Sequence, residues 1–84
     1  MKLLIISPQH QESYIIEWLE AHTPQGSIII QSGHAPIILT LVADTNLTFL
    51  LSTGDTKFFT LHRPGFLEVN RTTITALINQ NNKS

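Results

Sequence analysis

The chain has 84 residues, of which 42% are apolar and 13% are charged, and its formal net charge is -1. This length allows one small domain, and the absence of cysteine excludes disulfides and thiolate metal sites as a source of its stability. The five basic residues are scattered and form no stripe that follows phosphates, which argues against nucleic-acid binding.

The N-terminal segment predicts neither a secretion signal nor a membrane span. Its apolar run LLII ends before Pro8, so it is shorter than a signal-peptide core, and no small-residue cleavage site follows it. No stretch approaches the roughly 20 apolar residues that cross a bilayer. We therefore expect a cytoplasmic protein without direct membrane insertion.

Short apolar runs rich in β-branched and aromatic residues alternate with turn-forming clusters along the whole chain. The runs are LLII, YIIEWL, SIII, PIILTLV, LTFLL, KFFTL, GFLEV and TITALI. With a turn signal about every ten residues, they predict an all-β fold, a small antiparallel β-sandwich of about 8–10 short strands with hairpin connections. The low share of charged residues fits either a Thr-rich β surface or a surface covered by partners. The predicted domain spans residues 1–79, and residues 80–84 are predicted to be a disordered tail.

Three of the turn clusters have recognisable chemistry. Gly54 followed by Asp55 supplies a positive φ, and Asp44 begins a turn in which polar side chains bond the local backbone. Pro64 and Gly65 fit the central positions of a type II turn.

The segment from Ser7 to His22 is ambiguous on pattern alone. Ser7 and Pro8 resemble the start of a helix, and the residues from Tyr14 to Leu19 give no clean alternation of polar and apolar positions. The local pattern slightly favours a helix over a strand.

Two motifs in order resemble the N-terminal β-sandwich domain of the epsilon subunit of F-type ATP synthase, called delta in mitochondria. The first is TPQGSIIIQSGHAP, which contains the Gly-His-Ala-Pro of Gly33–Pro36, and the second is the GFLEV strand of residues 65–69. Their spacing suits the family, and the resemblance extends from about Leu3 to Ile78. It implies that Tyr14 to Ala21 forms a strand, against the local pattern.

The resemblance also implies a function. The family's sandwich is a non-catalytic rotor subunit of the central stalk, which docks on the gamma subunit and on the loops of the c-ring and couples ion flow to ATP synthesis. It has no cofactor or metal of its own, and it lies in the cytoplasm at the periphery of the inner membrane as part of the complex.

By the same resemblance, the residues that face gamma are Ser7, Gly33, His34 and Ala35. In this interpretation Gly33 and Pro36 shape a turn that presents His34 on the rim. A purely local hydrogen bond of His34 is an alternative, whereas a general-base role would need a nucleophile and a carboxylate that the local sequence lacks.

The residues that match the turn toward the c-ring loops are Gln25, Gly26, Ser27 and Ile28. The chain departs from the family here, since Ser27 stands where an acidic residue is frequent. A lost exposed ion pair changes binding by only about 0–1 kcal/mol. The family's C-terminal helical hairpin also has no counterpart after Ile78, so we expect a subunit that couples without an inhibitory latch.

Two other classes of function compete with the rotor. One is a divergent stand-alone β-sandwich module that binds a carbohydrate or a protein, in which Tyr14 and Trp18 would stack on a sugar. The other is a small hydrolase, which the sequence disfavours because it shows no nucleophile motif and no metal-ligand spacing among its histidines.

Overall fold

A computed structural model describes residues 1–79 of the chain as eight β-strands without a helix. The all-β prediction is therefore confirmed. The strands are β1 Lys2–Ser7, β2 His10–Thr23, β3 Gly26–Gln31, β4 Ile37–Leu41, β5 Thr45–Leu51, β6 Thr56–Leu61, β7 Gly65–Val69 and β8 Thr73–Ile78. The predicted tail, residues 80–84, lies outside the described residues.

The strands form one curled sheet that folds into two layers. The order is β4-β7-β8-β1-β2-β5-β6, and β3 pairs with β2 beside this path. Neighbouring strands are antiparallel except β1 and β8, which run parallel. The sheet is thus mixed, because the first and last strands, which lie side by side in the middle of one layer, run parallel.

Strand β2 belongs to both layers. Its first half pairs with β1, from Ser7 opposite His10 to Lys2 opposite Ile15. Its second half lies between β3 and β5. The expectation that Tyr14 to Ala21 is a strand is confirmed, and the preference of the local pattern for a helix was wrong.

A β-bulge at Glu17 explains why the sequence of β2 shows no regular alternation. Ile16 lies opposite Leu51 and Trp18 lies opposite Leu50, so Glu17 has no partner residue on β5. An extra residue shifts the two-residue period by one. Before the bulge the even-numbered Ile16 is buried, and after it the odd-numbered Leu19 is buried.

The core lies between the two layers and draws on every strand. Fifteen apolar side chains are buried there: Leu3, Ile5, Ile16, Leu19, Ala21, Ile30, Leu41, Leu47, Phe49, Leu61, Leu67, Val69, Ile74, Ala76 and Ile78. Phe49 is the largest of them and packs against Tyr14, with ring centroids 5.1 Å apart. Among residues 1–79, no buried side-chain nitrogen or oxygen lacks a hydrogen-bond partner. The small domain is therefore filled almost entirely by branched aliphatic groups.

Two of the three predicted turns have the expected chemistry. Gly54 has a φ of 101° and Asp44 has a φ of 61°. After Asp44, the Thr45 hydroxyl donates to the Val42 carbonyl at 2.7 Å. The hairpin at Gly54 and the β4–β5 connection at Asp44 therefore each contain a residue in the left-handed region, as their composition indicates.

The type II turn predicted at Pro64 and Gly65 is wrong. Gly65 has no positive φ and is the first residue of β7, where it lies opposite Leu41 and Ile78. A Cβ at Gly65 would stand 2.7 Å from the Leu77 carbonyl oxygen. The glycine is needed because a neighbouring strand passes too close for a side chain.

Residues 1–79 include no helix with the length and apolar character needed to cross a bilayer.

Candidate functional site

The loop that carries His34 is held against the turn between β7 and β8. The Gly33 N–H donates to the Arg71 carbonyl at 3.0 Å, and the His34 N–H donates to the Gln31 carbonyl at 3.2 Å. Gly33 has a φ of 87°, which only glycine adopts at little cost. The backbone of the Gly-His-Ala-Pro motif is therefore fixed by one contact to the start of its own loop and one to the β7–β8 turn.

The hydrogen bond of the His34 ring determines what it presents to a partner. Nδ1 lies 2.8 Å from the Ala35 carbonyl oxygen. Since a carbonyl only accepts, Nδ1 carries the proton, and in the neutral ring Nε2 is then an acceptor. The predicted local hydrogen bond is thus present, and it involves one of the two ring nitrogens.

Ser7 occupies the tight turn between β1 and β2. Its hydroxyl donates to the His10 carbonyl at 3.1 Å, and its side chain is half-buried. The hydroxyl therefore shapes this turn, and only part of the side chain is available to another molecule.

The turn between β2 and β3 is fastened by Thr23. Its hydroxyl oxygen accepts the Gln25 N–H at 3.2 Å and donates to the Gly26 carbonyl at 2.9 Å. Gln25, Gly26 and Ser27 are exposed, whereas Ile28 packs against the core. Of the four residues predicted to face the c-ring, Ile28 thus supports the turn from within and the other three form its surface.

The structure places these residues at three separate corners. Ser7 lies at one end of β1, and at the other end Lys2 donates its N–H to Thr72, next to the Arg71 that holds Gly33. Strand β3 separates the turn at Gln25 from the loop of His34 in the same way. Six-residue strands put each separation at about 17 Å. Ser7 and His34 are therefore not brought together.

The outer face of one layer carries an apolar stripe that sequence reasoning missed. Phe66 lies opposite Leu77, and Leu77 lies opposite Ile6 in the parallel pair. Phe66 is 56% exposed, Leu77 is 43% exposed and Ile38, on the adjacent strand, is 70% exposed. The signal was available in GFLEV, where Phe66 alternates with the buried Leu67 and must point outward. We call Ile38, Phe66, Leu77 and Ile6 the outer stripe.

A small polar cluster lies on the first half of β2. The Tyr14 hydroxyl donates to the Glu12 carboxylate, and His10 Nε2 lies 3.3 Å from the same carboxylate. The hydrogen bond to Glu12, then burial, then the negative charge of Glu12 raise the pKa of Tyr14 to about 12. Lys57 Nζ lies 5.0 Å from the centroid of the Tyr14 ring. These contacts connect β6 to β2 through the Tyr14 ring.

Tyr14 and Trp18 do not form the stacking pair considered for a sugar ligand. Tyr14 packs inward on Phe49, whereas Trp18 precedes the buried Leu19 and lies on the outer face beside Leu50. The bulge at Glu17 causes the separation, because it reverses the facing of every residue after it. The carbohydrate interpretation loses the feature on which it rested.

The acids and histidines are dispersed over the surface. Residues 1–79 contain no group of three His, Asp or Glu side chains placed to hold a metal ion. His10 contacts Glu12, while the His34 ring is bonded to its own loop.

Comparison with known proteins identifies the fold. No family model and no curated protein sequence matches the chain. A chain in the cryo-EM structure of Euglena gracilis mitochondrial ATP synthase, OSCP/F1/c-ring in rotational state 1, superposes with a TM-score of 0.78. It is 17% identical, and the match covers 90% of this chain and 48% of that one.

A chain in the cryo-EM structure of the Tetrahymena thermophila mitochondrial ATP synthase central stalk and c-ring gives a TM-score of 0.75. It is also 17% identical, and the match covers 95% of this chain and 63% of that one. This protein thus spans about half to two thirds of the length of these neighbours. The resemblance predicted from the two motifs is confirmed at the level of the fold.

Proposed function

We propose that the protein is a non-catalytic rotor subunit of an F-type ATP synthase, of the epsilon type. The observation that carries the proposal is the fold shared with chains of ATP synthase stalk and c-ring structures over at least 90% of this chain. Independently of that comparison, two motifs of the epsilon sandwich occur here in order, at Gly33–Pro36 and at residues 65–69. One fold can host several functions, and the sequence identity to these chains is only 17%. The motifs and the surfaces therefore supply the rest of the support.

In this proposal the domain is a stiff spacer that couples ion flow to ATP synthesis without chemistry of its own. Rotation passes through contact surfaces, and this requires a core that resists deformation. Close-packed interiors have low compressibility and transmit strain. The fifteen buried apolar side chains and the continuous β2 provide such a core.

The proposed gamma surface consists of Gly33, His34 and Ala35, together with Ser7. These two parts lie at opposite ends of β1, about 17 Å apart. A standard interface covers about 800 Å² per partner, or about 28 Å across, so one partner spans both. Because Nε2 of the neutral His34 ring is an acceptor, we expect gamma to contribute a hydrogen-bond donor to it.

The proposed c-ring surface is the turn of Gln25, Gly26 and Ser27. The Thr23 hydroxyl fixes this turn before a partner binds, which lowers the entropy lost on docking. The turn offers backbone groups and a hydroxyl in place of a carboxylate. Docking at the ring makes the protein peripheral to the membrane, in keeping with the expected location.

The gamma contact is tested by co-purification of the full chain with its cognate gamma subunit. We expect the wild type to associate, His34→Ala to bind at least about tenfold more weakly, and His62→Ala to match the wild type. His62 is an exposed histidine in the connection between β6 and β7, which makes it a matched control. Failure of the wild type to associate with gamma would refute the rotor function.

The ring contact is tested by cross-linking. The chain contains no cysteine, so a single introduced thiol is a unique attachment point for a photo-activated cross-linker. We expect Ser27→Cys to capture a ring subunit in the assembled complex and Thr53→Cys to capture none. Thr53 lies in the turn between β5 and β6, at the other end of that layer. Equal capture from both positions would contradict the proposed orientation.

A further inference from the structure

Strand β3 is an edge strand without the usual protection. It pairs with β2 on one side only, and its sequence GSIIIQ contains no charge and no proline. Its register with β2 runs without a bulge from Thr23 opposite Gly26 to Trp18 opposite Gln31. Natural edge strands are normally blunted by charges, prolines or bulges, because their free backbone groups recruit other strands.

The hydrogen bonds around β2 show which backbone groups of β3 are free. The His22 carbonyl accepts from the Val42 N–H at 3.1 Å, on the side of β2 away from β3. Since residues of an antiparallel strand point alternately to its two neighbours, Ala21 and Leu19 face β3. Their partners Ile28 and Ile30 therefore bond β2, and the backbone groups of the other positions point outward. The outward positions are Ser27, Ile29 and Gln31.

We propose that the free edge of β3 pairs with β3 of a second copy of this chain, in antiparallel orientation about Ile29. Ile29 then lies opposite its own counterpart, and Ser27 lies opposite Gln31 of the other copy. The three outward positions on each copy give about six backbone hydrogen bonds. The Gln31 carbonyl, which already accepts from His34, has a second lone pair for this purpose.

The sequence of β3 makes a second copy the best-matched occupant. A two-fold interface places the same patch against itself, so a charge at the position on the axis would face an identical charge. Ile29 is 57% exposed on the outer face, and pairing covers it with an identical side chain. Glu20 is the nearest acid in that row, opposite Ile29 on β2. The two copies of Glu20 are three strands apart, about 14 Å, which exceeds the Debye length of about 8–10 Å.

The other edges are less suited to self-pairing. Strand β6 carries Lys57, a typical edge-blocking residue, and the first half of β2 carries His10 and Glu12. Strand β4 has only five residues, and the next residue, Val42, is tied to His22. Pairing through β3 extends the layer β3-β2-β5-β6 across both copies, and it does not depend on the rotor function.

Sedimentation velocity of the full chain tests the proposal. Edge pairing of this size gives a small interface, so we expect a monomer–dimer equilibrium between about 10 μM and about 1 mM. Ile29→Lys places a charge at the two-fold axis and should weaken association at least about tenfold. Ile38→Lys introduces the same charge on the exposed face of β4 and should leave association within about twofold of the wild type.

Residue-resolved hydrogen exchange of the wild type tests the backbone register directly. At high concentration we expect slower exchange of the Ser27, Ile29 and Gln31 amides than at low concentration. The Ile28 and Ile30 amides, which already bond β2, should be protected at both. Circular dichroism of each variant checks folding, and the exchange pattern decides the matter if Ile29→Lys does not fold.

Three results would overturn the proposal. The first is a wild type that stays monomeric throughout the concentration range. The second is association that is lost in Ile38→Lys and kept in Ile29→Lys. The third is protection on dimerisation that lacks the alternation at residues 27, 29 and 31. Any of these would leave the test of the gamma contact unaffected, because His34 lies in the loop beyond β3.

Discussion

Glycine occurs four times in the chain, and at Gly65 a side chain is excluded by proximity instead of by backbone conformation. The Leu77 carbonyl oxygen stands where a Cβ would meet it, at 2.7 Å. That oxygen belongs to the backbone of β8, so relief requires β7 and β8 to move apart. The motif residue Gly65 thus maintains strand packing, which the composition of its turn did not indicate.

Replacing Gly65 with alanine should lower the free energy of unfolding by about 1–3 kcal/mol, the usual cost of inserting a methyl group into a filled space. Urea denaturation monitored by circular dichroism measures the change. Ser32→Ala, at an exposed turn position, is the control and should stay within about 0.5 kcal/mol of the wild type. A Gly65→Ala protein as stable as the control would show that the strands separate at no cost.

Tyr14 makes a contribution to stability that is lost at alkaline pH. Its pKa is about 12 in the folded chain against 10.0 for the free side chain. Between these values the folded state keeps a proton that the unfolded state has lost, so the free energy of unfolding falls as pH rises. The contribution is complete below pH 10 and absent above the folded pKa. Because the side chain is partly exposed, solvent screening limits it to at most about 1 kcal/mol.

Glu12→Gln should lower the pKa of Tyr14 toward 10, since it removes the charge and weakens the acceptor. Tyr14 is the single tyrosine, so tyrosinate absorbance during a pH titration reports on it alone. Glu17→Gln, on the same strand but at the bulge, should leave the titration unchanged. If the pKa of Tyr14 is the same in the wild type and in Glu12→Gln, the hydrogen bond is not maintained in solution.

At the level of elements, the strands and most turns could be predicted from the sequence. Which residues of β2 face the core and which face solvent could not. Ile and Thr content and regular turn signals predict strands wherever they occur. Glu17 hides the alternation of β2, because one extra residue makes a strand look aperiodic and leaves a helix as the better local match. The parallel pairing of β1 with β8 also joins residues about 70 positions apart, which no local pattern encodes.

For the candidate site, the turn positions could be predicted to a similar degree, whereas the partners assigned to them stay predictions. Gln25 to Ser27 are exposed, and so are the neighbours of the half-buried His34 in its loop, in agreement with their turn chemistry. The inward packing of Ile28 depends on the register of β3 against β2, which tertiary pairing sets. The outer stripe needed the register of β7 and β8 for the same reason.

Deleting Glu17 should disrupt the fold, whereas Glu17→Ala should change the free energy of unfolding by no more than about 0.5 kcal/mol. Without the extra residue, one half of β2 must turn over, which moves either Ile16 or Leu19 from the core to solvent. Thermal denaturation followed by circular dichroism compares the two variants. A cooperative, near-native transition in the deletion would contradict the bulge as the cause of the phase shift.

At the level of the whole molecule, the proposed gamma and c-ring surfaces are separated by the length of β3. Sites more than about 7–10 Å apart without shared partners contribute additively. We therefore expect His34→Ala and Ser27→Ala to weaken incorporation into the reconstituted complex independently, with a coupling free energy below about 0.5 kcal/mol. Binding of the single and double variants measures it, and a larger coupling would place both residues on one partner.

Pairing with a second copy and docking on the ring would exclude each other. Ser27 lies both in the turn proposed for the ring and on the edge proposed for the second copy. If both proposals hold, a subunit docked on the ring has no free edge, and the uncharged β3 is exposed only before assembly.

Strand β2 has a mechanical consequence because it runs through both layers as one covalent chain. In a sandwich of two separate sheets, a sideways load is borne by side-chain contacts alone, and the sheets can slip. Here such slip would have to stretch peptide bonds or strip hydrogen bonds from β1, β3 and β5 together. A twist applied at the corner of Ser7 is therefore transmitted to the corner of Gln25 along the continuous backbone of β2, and the two layers do not slide past each other.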